Sequence, residues 1–295
     1  MLVTTDFSLE GVHFRREWHS AESVGHRCLA RGLSDIAAMG GEPLAMFLSL
    51  ALPAKLPQKW VDGFLRGLTA LARKHRVALA GGDTSASPEG ILADIVVVGS
   101  APAGTAVRRS GARPGDSIYV TGELGASAMT LAKMYARAEA KPKKLHLKKL
   151  DPMKHPRHFF PEPRLAVGRY LREHKIASAM IDLSDGLSTD LHHICEESRV
   201  GANISASRIP CAEGASLEQA LHGGEDYELL FTAQAGCKVP STIARVRVTR
   251  IGGILRANKK ISILTESDGA ESKRVALAPG GWEHFVGREP SRRRI

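Results

Sequence analysis

Apolar and polar positions switch between two periods along the chain, and the switches mark the elements. Residues 21–39 carry Val24, Cys28, Ile36 and Met39 on one helical stripe, with Ser20 placed to cap the start and Gly40-Gly41 to end it. Residues 44–52 are almost wholly apolar and predict a buried strand. A helix is predicted over 58–75, with Val61, Phe64, Leu65, Leu68 and Leu71 inward. The short apolar run 77–80 predicts a strand that empties into a turn at Gly81-Gly82, and 91–98 predicts a longer strand. Strands alternating with helices over roughly 100 residues predict an α/β or α+β sandwich domain.

The pattern then breaks and restarts. Residues 100–116 are rich in Gly, Pro and Arg and predict a domain boundary, with Arg108 and Arg109 as candidate phosphate clamps. A second run follows: a strand at 118–121, helices over 126–138, 163–174, 186–198 and 217–221, and strands at 180–182, 228–232, 246–251 and 261–264. The expected division is 1–113 and 114–295. The segment 139–160 is basic and proline-interrupted and predicts a surface insertion, whose histidines His146, His155 and His158 lack metal-ligand spacing. Trp282 is expected as an apolar plate on a glycine hinge.

Composition narrows the class. The chain has 295 residues, 43% of them hydrophobic and 24% charged, which supports two packed domains. Aromatics are only 5%, which argues against a base-stacking nucleic-acid platform. Cys28, Cys195, Cys211 and Cys237 have no C-x-x-C spacing and read as thiols of a reducing compartment. With no apolar run of membrane-spanning length and no basic-then-apolar leader, a cytoplasmic location is expected. The net charge is +10, and residues 137–175 hold 12 Lys/Arg against 4 Asp/Glu, so the excess belongs to one predicted loop and helix.

The candidate chemistry lies in dispersed aspartates beside glycines and hydroxyls: Thr4-Thr5-Asp6, Ser34-Asp35, Gly82-Asp83-Thr84, Asp182-Leu183-Ser184-Asp185 and Gly224-Glu225-Asp226. Glycine lets backbone approach a phosphate, and carboxylates hold a hard cation. Asp35 falls near a helix C-terminus, where a carboxylate opposes the dipole and needs a partner such as a cation. Asp182 and Asp185 flank one turn, close enough to share an ion. Asp190 reads as a surface residue. The P-loop, dinucleotide, protein-kinase, nucleophile-elbow and zincin motifs are all absent from the sequence.

In order along the chain, Thr4-Thr-Asp-Phe-Ser-Leu-Glu-Gly-Val-His-Phe14, Leu33-Ser-Asp-Ile-Ala-Ala-Met-Gly40, Gly81-Gly-Asp-Thr84, Arg109-Ser-Gly-Ala112, Ile181-Asp-Leu-Ser-Asp-Gly-Leu187 and Gly223-Gly-Glu-Asp-Tyr-Glu-Leu-Leu-Phe231 resemble the thiamine-monophosphate kinases. The resemblance implies a two-domain PurM-like α/β (α+β) fold, a homodimer, and Mg2+-dependent transfer of the ATP γ-phosphate to thiamine phosphate. It implies Thr4, Thr5, Asp6, Asp35, Asp83, Asp182 and Asp185 as Mg2+ positions and Gly82, Asp83, Arg109 and Ser184 as ATP contacts. Asp83, Arg109 and Asp35 become the catalytic candidates; His13, Glu225 and Trp282 fall on the thiamine-phosphate side. It further implies an upstream strand and Gly-Asp-Asp loop, so the chain reads as truncated at its start. A non-catalytic nucleotide-binding protein of the same fold, or another PurM-like ATP-dependent enzyme, is the alternative.

Overall fold

Two sheets organise the computed structural model, which describes residues 1–139, 150–256, 260–265 and 273–282. The first sheet contains β1 (Leu2–Leu9), β2 (Glu42–Pro53), β3 (Ala78–Ser87) and β4 (Leu92–Ser100), in the order β1-β4-β2-β3. Only β2 and β3 run parallel. A parallel pair needs a crossover, and α2 (Gln58–His75) supplies it.

Helix α1 (Ala21–Ala38) begins where predicted: the Ser20 side chain accepts a hydrogen bond from the Ser23 N–H at 3.2 Å. It crosses α2 at two glycines. A Cβ on Gly25 would sit 1.9 Å from the Phe64 carbonyl oxygen, and one on Gly67 would sit 1.9 Å from that of Glu22. Bare backbone at both points lets the helices close on each other and on the inner face of the sheet, around Leu29, Leu33, Phe64 and Leu68. The outer face has no such cover. Val3, Phe7 and Phe47 are exposed there, so the apolar run 44–52 is buried on one side only, where Met46, Leu48 and Leu50 point inward.

The turn expected at Gly81-Gly82 is absent. Strand β3 runs straight through Gly81, Gly82 and Asp83, hydrogen-bonded to β2 as an exposed edge. Gly82 is needed for another reason: a Cβ there would meet the Leu48 carbonyl oxygen at 1.9 Å, with φ at +155°. The close approach is to the neighbouring strand.

The second sheet contains β5 (Ser117–Thr121), β6 (Ala177–Asp182), β7 (Gly201–Ser205), β8 (Leu229–Ala233), β10 (Val246–Leu255), β11 (Ile261–Thr265) and β12 (Lys273–Ala276). Their order is β12-β11-β7-β10-β5-β8-β6, with the two-residue β9 (Thr242–Ile243) beside β10. Its strands alternate between two cores. Met180, Leu229 and Phe231 pack with α5 (Leu165–Glu173) and α1 in the core of the first sheet. Ile181, Leu230, Ile118 and Val120 pack on the other side with Leu187, Leu191 and Ile194 of α6 (Leu187–Ser198). The helices α3 (Ala126–Glu139), α4 (Pro156–Phe159) and α7 (Leu217–His222) complete this layer.

The basic segment departs from expectation in its described part. Residues 140–149, His146 among them, lie outside the described residues. Beyond them Leu150 and Phe159 are buried against Met134, with Trp18 packed beside them. His158 is buried too: its Nε2 lies 3.1 Å from Nε2 of His19, and its Nδ1 lies 2.9 Å from the Ser127 hydroxyl. The segment's end is therefore a tether between the two halves.

Candidate active site

Helix α1 packs against β6, and this contact brings carboxylates from distant parts of the chain together. Strand β1 alternates, so Thr4 and Asp6 point to its inner face. Thr4 Oγ1 donates to Asp35 Oδ2, in the last turn of α1. Asp182 ends β6, where its Oδ2 accepts a 2.6 Å hydrogen bond from Ser34 Oγ. Burial, then the charge of Asp35, push Asp6 up to about 7 against the pull of Arg31. Burial and Asp35 likewise push Asp182 up to about 7, against the hydrogen bond from Ser34. Asp185 adds to the repulsion on Asp6 from the following turn.

That turn is held by the glycine-rich 223–228 segment. Glu225 N–H donates to the Ser184 carbonyl at 2.8 Å, and Tyr227 N–H to that of Leu183 at 2.9 Å. Glu225 and Tyr227 both adopt positive φ, at +66° and +51°. Strain of this kind persists only where surrounding contacts fix the backbone. Here they include two buried arginines of α1. Arg27 Nη2 donates to Glu225 Oε2 at 2.6 Å, and Arg31 Nη2 donates to Glu225 Oε1. Burial alone would raise the Glu225 carboxyl; the two guanidiniums hold it far below the usual range instead. The next carboxylate, Asp226, accepts from Gly125 N–H at 2.7 Å ahead of α3, and burial pushes it up to about 7.

His13 lies in the turn after β1. Its Nδ1 accepts from Leu9 N–H at 2.9 Å, and its carbonyl lies 3.4 Å from the same Arg27 Nη2 that reaches Glu225. Trp282 stands elsewhere. Its N–H donates to the Asp185 carbonyl at 3.1 Å, and its half-exposed ring lines a cavity of about 350 Å3 with Asp185, Thr189, His192, His193, Glu196 and Pro279. The expected hinge is pinned. Gly280 N–H donates to Ser188 Oγ at 3.2 Å and Gly281 N–H to Thr189 Oγ1 at 3.1 Å. Residues 283–285 lie outside the described residues.

Three predicted positions are not in this cluster. Thr5 points to the opposite face of the first sheet, where its hydroxyl donates to Asp94 at 2.8 Å. Asp83 shares that face, since its row of paired residues is Phe7, Asp94, Ser49 and Asp83. Arg109 is exposed on the linker, and its carbonyl accepts from Ser198 at the far end of α6. Asp185 precedes the near end of that helix, so about 18 Å of helix separates them. The sequence reading missed Arg27 and Arg31, which look like ordinary helix-surface cations, and Asp190. Asp190 is buried, and its Oδ2 accepts from the N–H groups of Asp185 and Gly186 at 3.2 and 3.1 Å. The one available signal was its place in the first turn of a helix that begins with a glycine.

Two domains with an acidic cluster at their junction are the arrangement of the AIR synthase related proteins. The models of that family's N-terminal and C-terminal domains match residues 1–101 and 113–252. The chain belongs to the thiamine-monophosphate kinase family. It is 34% identical to the thiamine-monophosphate kinase of Bacillus subtilis over 294 residues, covering 96% of this chain and 88% of that one. It is 39% identical to that of Salmonella typhimurium over 240 residues, covering 79% and 70%. A solved structure of AaThiL complexed with AMPPCP and TMP superposes with a TM-score of 0.80 at 31% identity, over 96% of this chain and 86% of that one.

Proposed function

We propose that this chain transfers the terminal phosphoryl group of ATP to thiamine phosphate at the Asp6, Asp35 and Asp182 cluster. The supporting observation is the convergence of three carboxylates from β1, α1 and β6 on one buried spot, together with AaThiL binding AMPPCP and TMP in a structure of the same fold. Such a donor set fits Mg2+: all the ligands are hard oxygens, and Asp6 and Asp182 repel Asp35 unless a cation or protons intervene. When bound, the ion supplies the positive charge that lets two phosphates approach.

The protein's own work is positioning. Thr4 and Ser34 orient the carboxylates through their hydroxyls. Arg27 and Arg31 fix Glu225, and Glu225 fixes the turn that carries Ser184 and Asp185. Trp282 offers a flat apolar face beside Asp185 for a heteroaromatic ring. The acceptor is already an anionic phosphate oxygen, so the reaction needs alignment more than a general base.

The pairing surface is the outer face of the first sheet. Val3, Phe7 and Phe47, with half-exposed Val96 and Val98 between them, form an apolar row that a second copy would cover. All four cysteines are free thiols, which fits the cytoplasm. Among the described residues no helix is long and apolar enough to cross a membrane.

The test is a coupled ADP-release assay with Mg2+ and ATP, with product identified by mass spectrometry. Thiamine diphosphate should form from thiamine phosphate, with no reaction when thiamine replaces it. Absence of product from thiamine phosphate with the folded chain overturns the reading.

A further inference from the structure

Helix α6 presents more chemistry than the phosphate cluster uses. Asp190 and His193 are three residues apart on it, and Asp185 stands just before it. One ligand atom from each of Asp185, Asp190 and His193 lies within 4.8 Å of the others. A carboxylate and an imidazole at i and i+3 on one helix, with a further carboxylate from a neighbouring segment, is a recurrent way of presenting metal ligands. A second observation points the same way. The 350 Å3 cavity over this trio is lined by another imidazole, His192, and by Glu196. His192 Nδ1 lies 2.6 Å from the Ser188 carbonyl, which fixes the proton on Nδ1 and leaves Nε2 as the lone-pair nitrogen. A ring N–H tied to a backbone carbonyl is the usual support of a metal-binding histidine. The trio is also held in place. Asp190 Oδ2 is anchored by two backbone N–H groups, and the Asp185 carbonyl is tied to Trp282.

We propose that Asp185, Asp190 and His193 form a binding site for a first-row transition ion, of the Zn2+ or Mn2+ class, separate from the phosphate cluster. The mixed nitrogen and oxygen set decides the class. Imidazole favours Zn2+ and its neighbours over Mg2+, whereas the Asp6, Asp35 and Asp182 set has oxygen only. The cavity leaves room for coordinated water or for His192 to complete the shell. Asp185 faces both groups, so the ion would couple the Trp282 segment to the phosphate cluster through one side chain. This site does not depend on the kinase reading.

The test uses the full chain, stripped with a chelator and held in millimolar Mg2+ to occupy oxygen-only sites. Co2+ is titrated as the probe, followed by its visible absorption and by calorimetry, with Zn2+ as competitor. One Co2+ should bind and be displaced by Zn2+. His193→Ala and Asp190→Asn should each weaken that binding at least tenfold, and Asp35→Asn should leave it unchanged. Asn at 190 keeps an oxygen for the two backbone N–H groups, so the fold is retained; melting curves of each variant without metal verify this. Absence of Co2+ binding to the wild-type chain overturns the proposal. So does binding that survives His193→Ala, or binding lost instead in Asp35→Asn.

Discussion

Ser34 Oγ donates a 2.6 Å hydrogen bond to Asp182 Oδ2, and the two residues sit on opposite sides of the domain boundary. Both are buried, so neither has water as an alternative partner. Ser34→Ala removes the donor and leaves a buried carboxylate oxygen unmatched, at a cost of about 1–3 kcal/mol. It also raises the Asp182 carboxyl further, because this hydrogen bond opposes the effect of burial. Urea denaturation of the variant should show the loss, and kcat should fall more than KM for ATP rises.

The paired carboxyls set a pH dependence. Asp6 and Asp182 are held up to about 7 in the folded chain, against 3.8 ordinarily. Between those values the folded chain keeps protons that the unfolded chain has released, so stability falls as pH rises and levels off above the upper value. Without divalent ions, the melting temperature should drop between about pH 5 and pH 8. Added Mg2+ should recover it more at the higher pH. A flat profile without ions, or equal Mg2+ effects at both ends, contradicts the buried cluster. Glu225 acts in a different window: its carboxyl is lowered from 4.5, so its contribution is lost only on acidification below that value.

Glu225→Gln tests the arginine pair. The variant leaves Arg27 and Arg31, both nearly fully buried, without their counter-charge. Breaking a buried pair in this way costs about 3–5 kcal/mol. Chemical denaturation should show a loss of that order, with activity reduced even where the chain stays folded.

Gly25→Ala should separate α1 from α2. The added carbon would stand 1.9 Å from a backbone oxygen, which no side-chain rotation relieves. The expected cost is about 1–3 kcal/mol or more, read as a lowered melting temperature. Because α1 carries Ser34 and Asp35, activity should fall with it.

Phe47→Lys should weaken self-association. Phe47 lies in the middle of the uncovered apolar row, paired with Val96. A charge there opposes burial against a second copy. Sedimentation should show a dimer for the wild type and a shift toward monomer for the variant, with the melting temperature of the dilute chain little changed.

Much of this fold was legible because its helices are amphipathic and punctuated. The serine cap and the glycine stop bound α1, and the apolar spacing bounds α2 to the residue. Glycine was the misleading signal. In Gly81-Gly82 it read as a turn, yet it serves strand packing against Leu48, a contact that depends on tertiary structure. Strand β7 escaped notice because Gly201–Ser205 is short and begins with a glycine. The carboxylates were visible as residues but not as a set. Local pattern cannot say which face of the first sheet Asp83 takes, nor that Asp190 turns inward. The burial of His158 escaped for the same reason, since its partners His19 and Ser127 are far away in sequence.

The core shared by α1, α5, β6 and β8 has a practical meaning for anyone recombining these enzymes. A cut at the linker divides the polypeptide but not the packing, so halves taken from two relatives would meet at mismatched apolar surfaces. A working chimera would have to carry α1 along with β6, and calorimetry of the intact chain should record one melting peak rather than two.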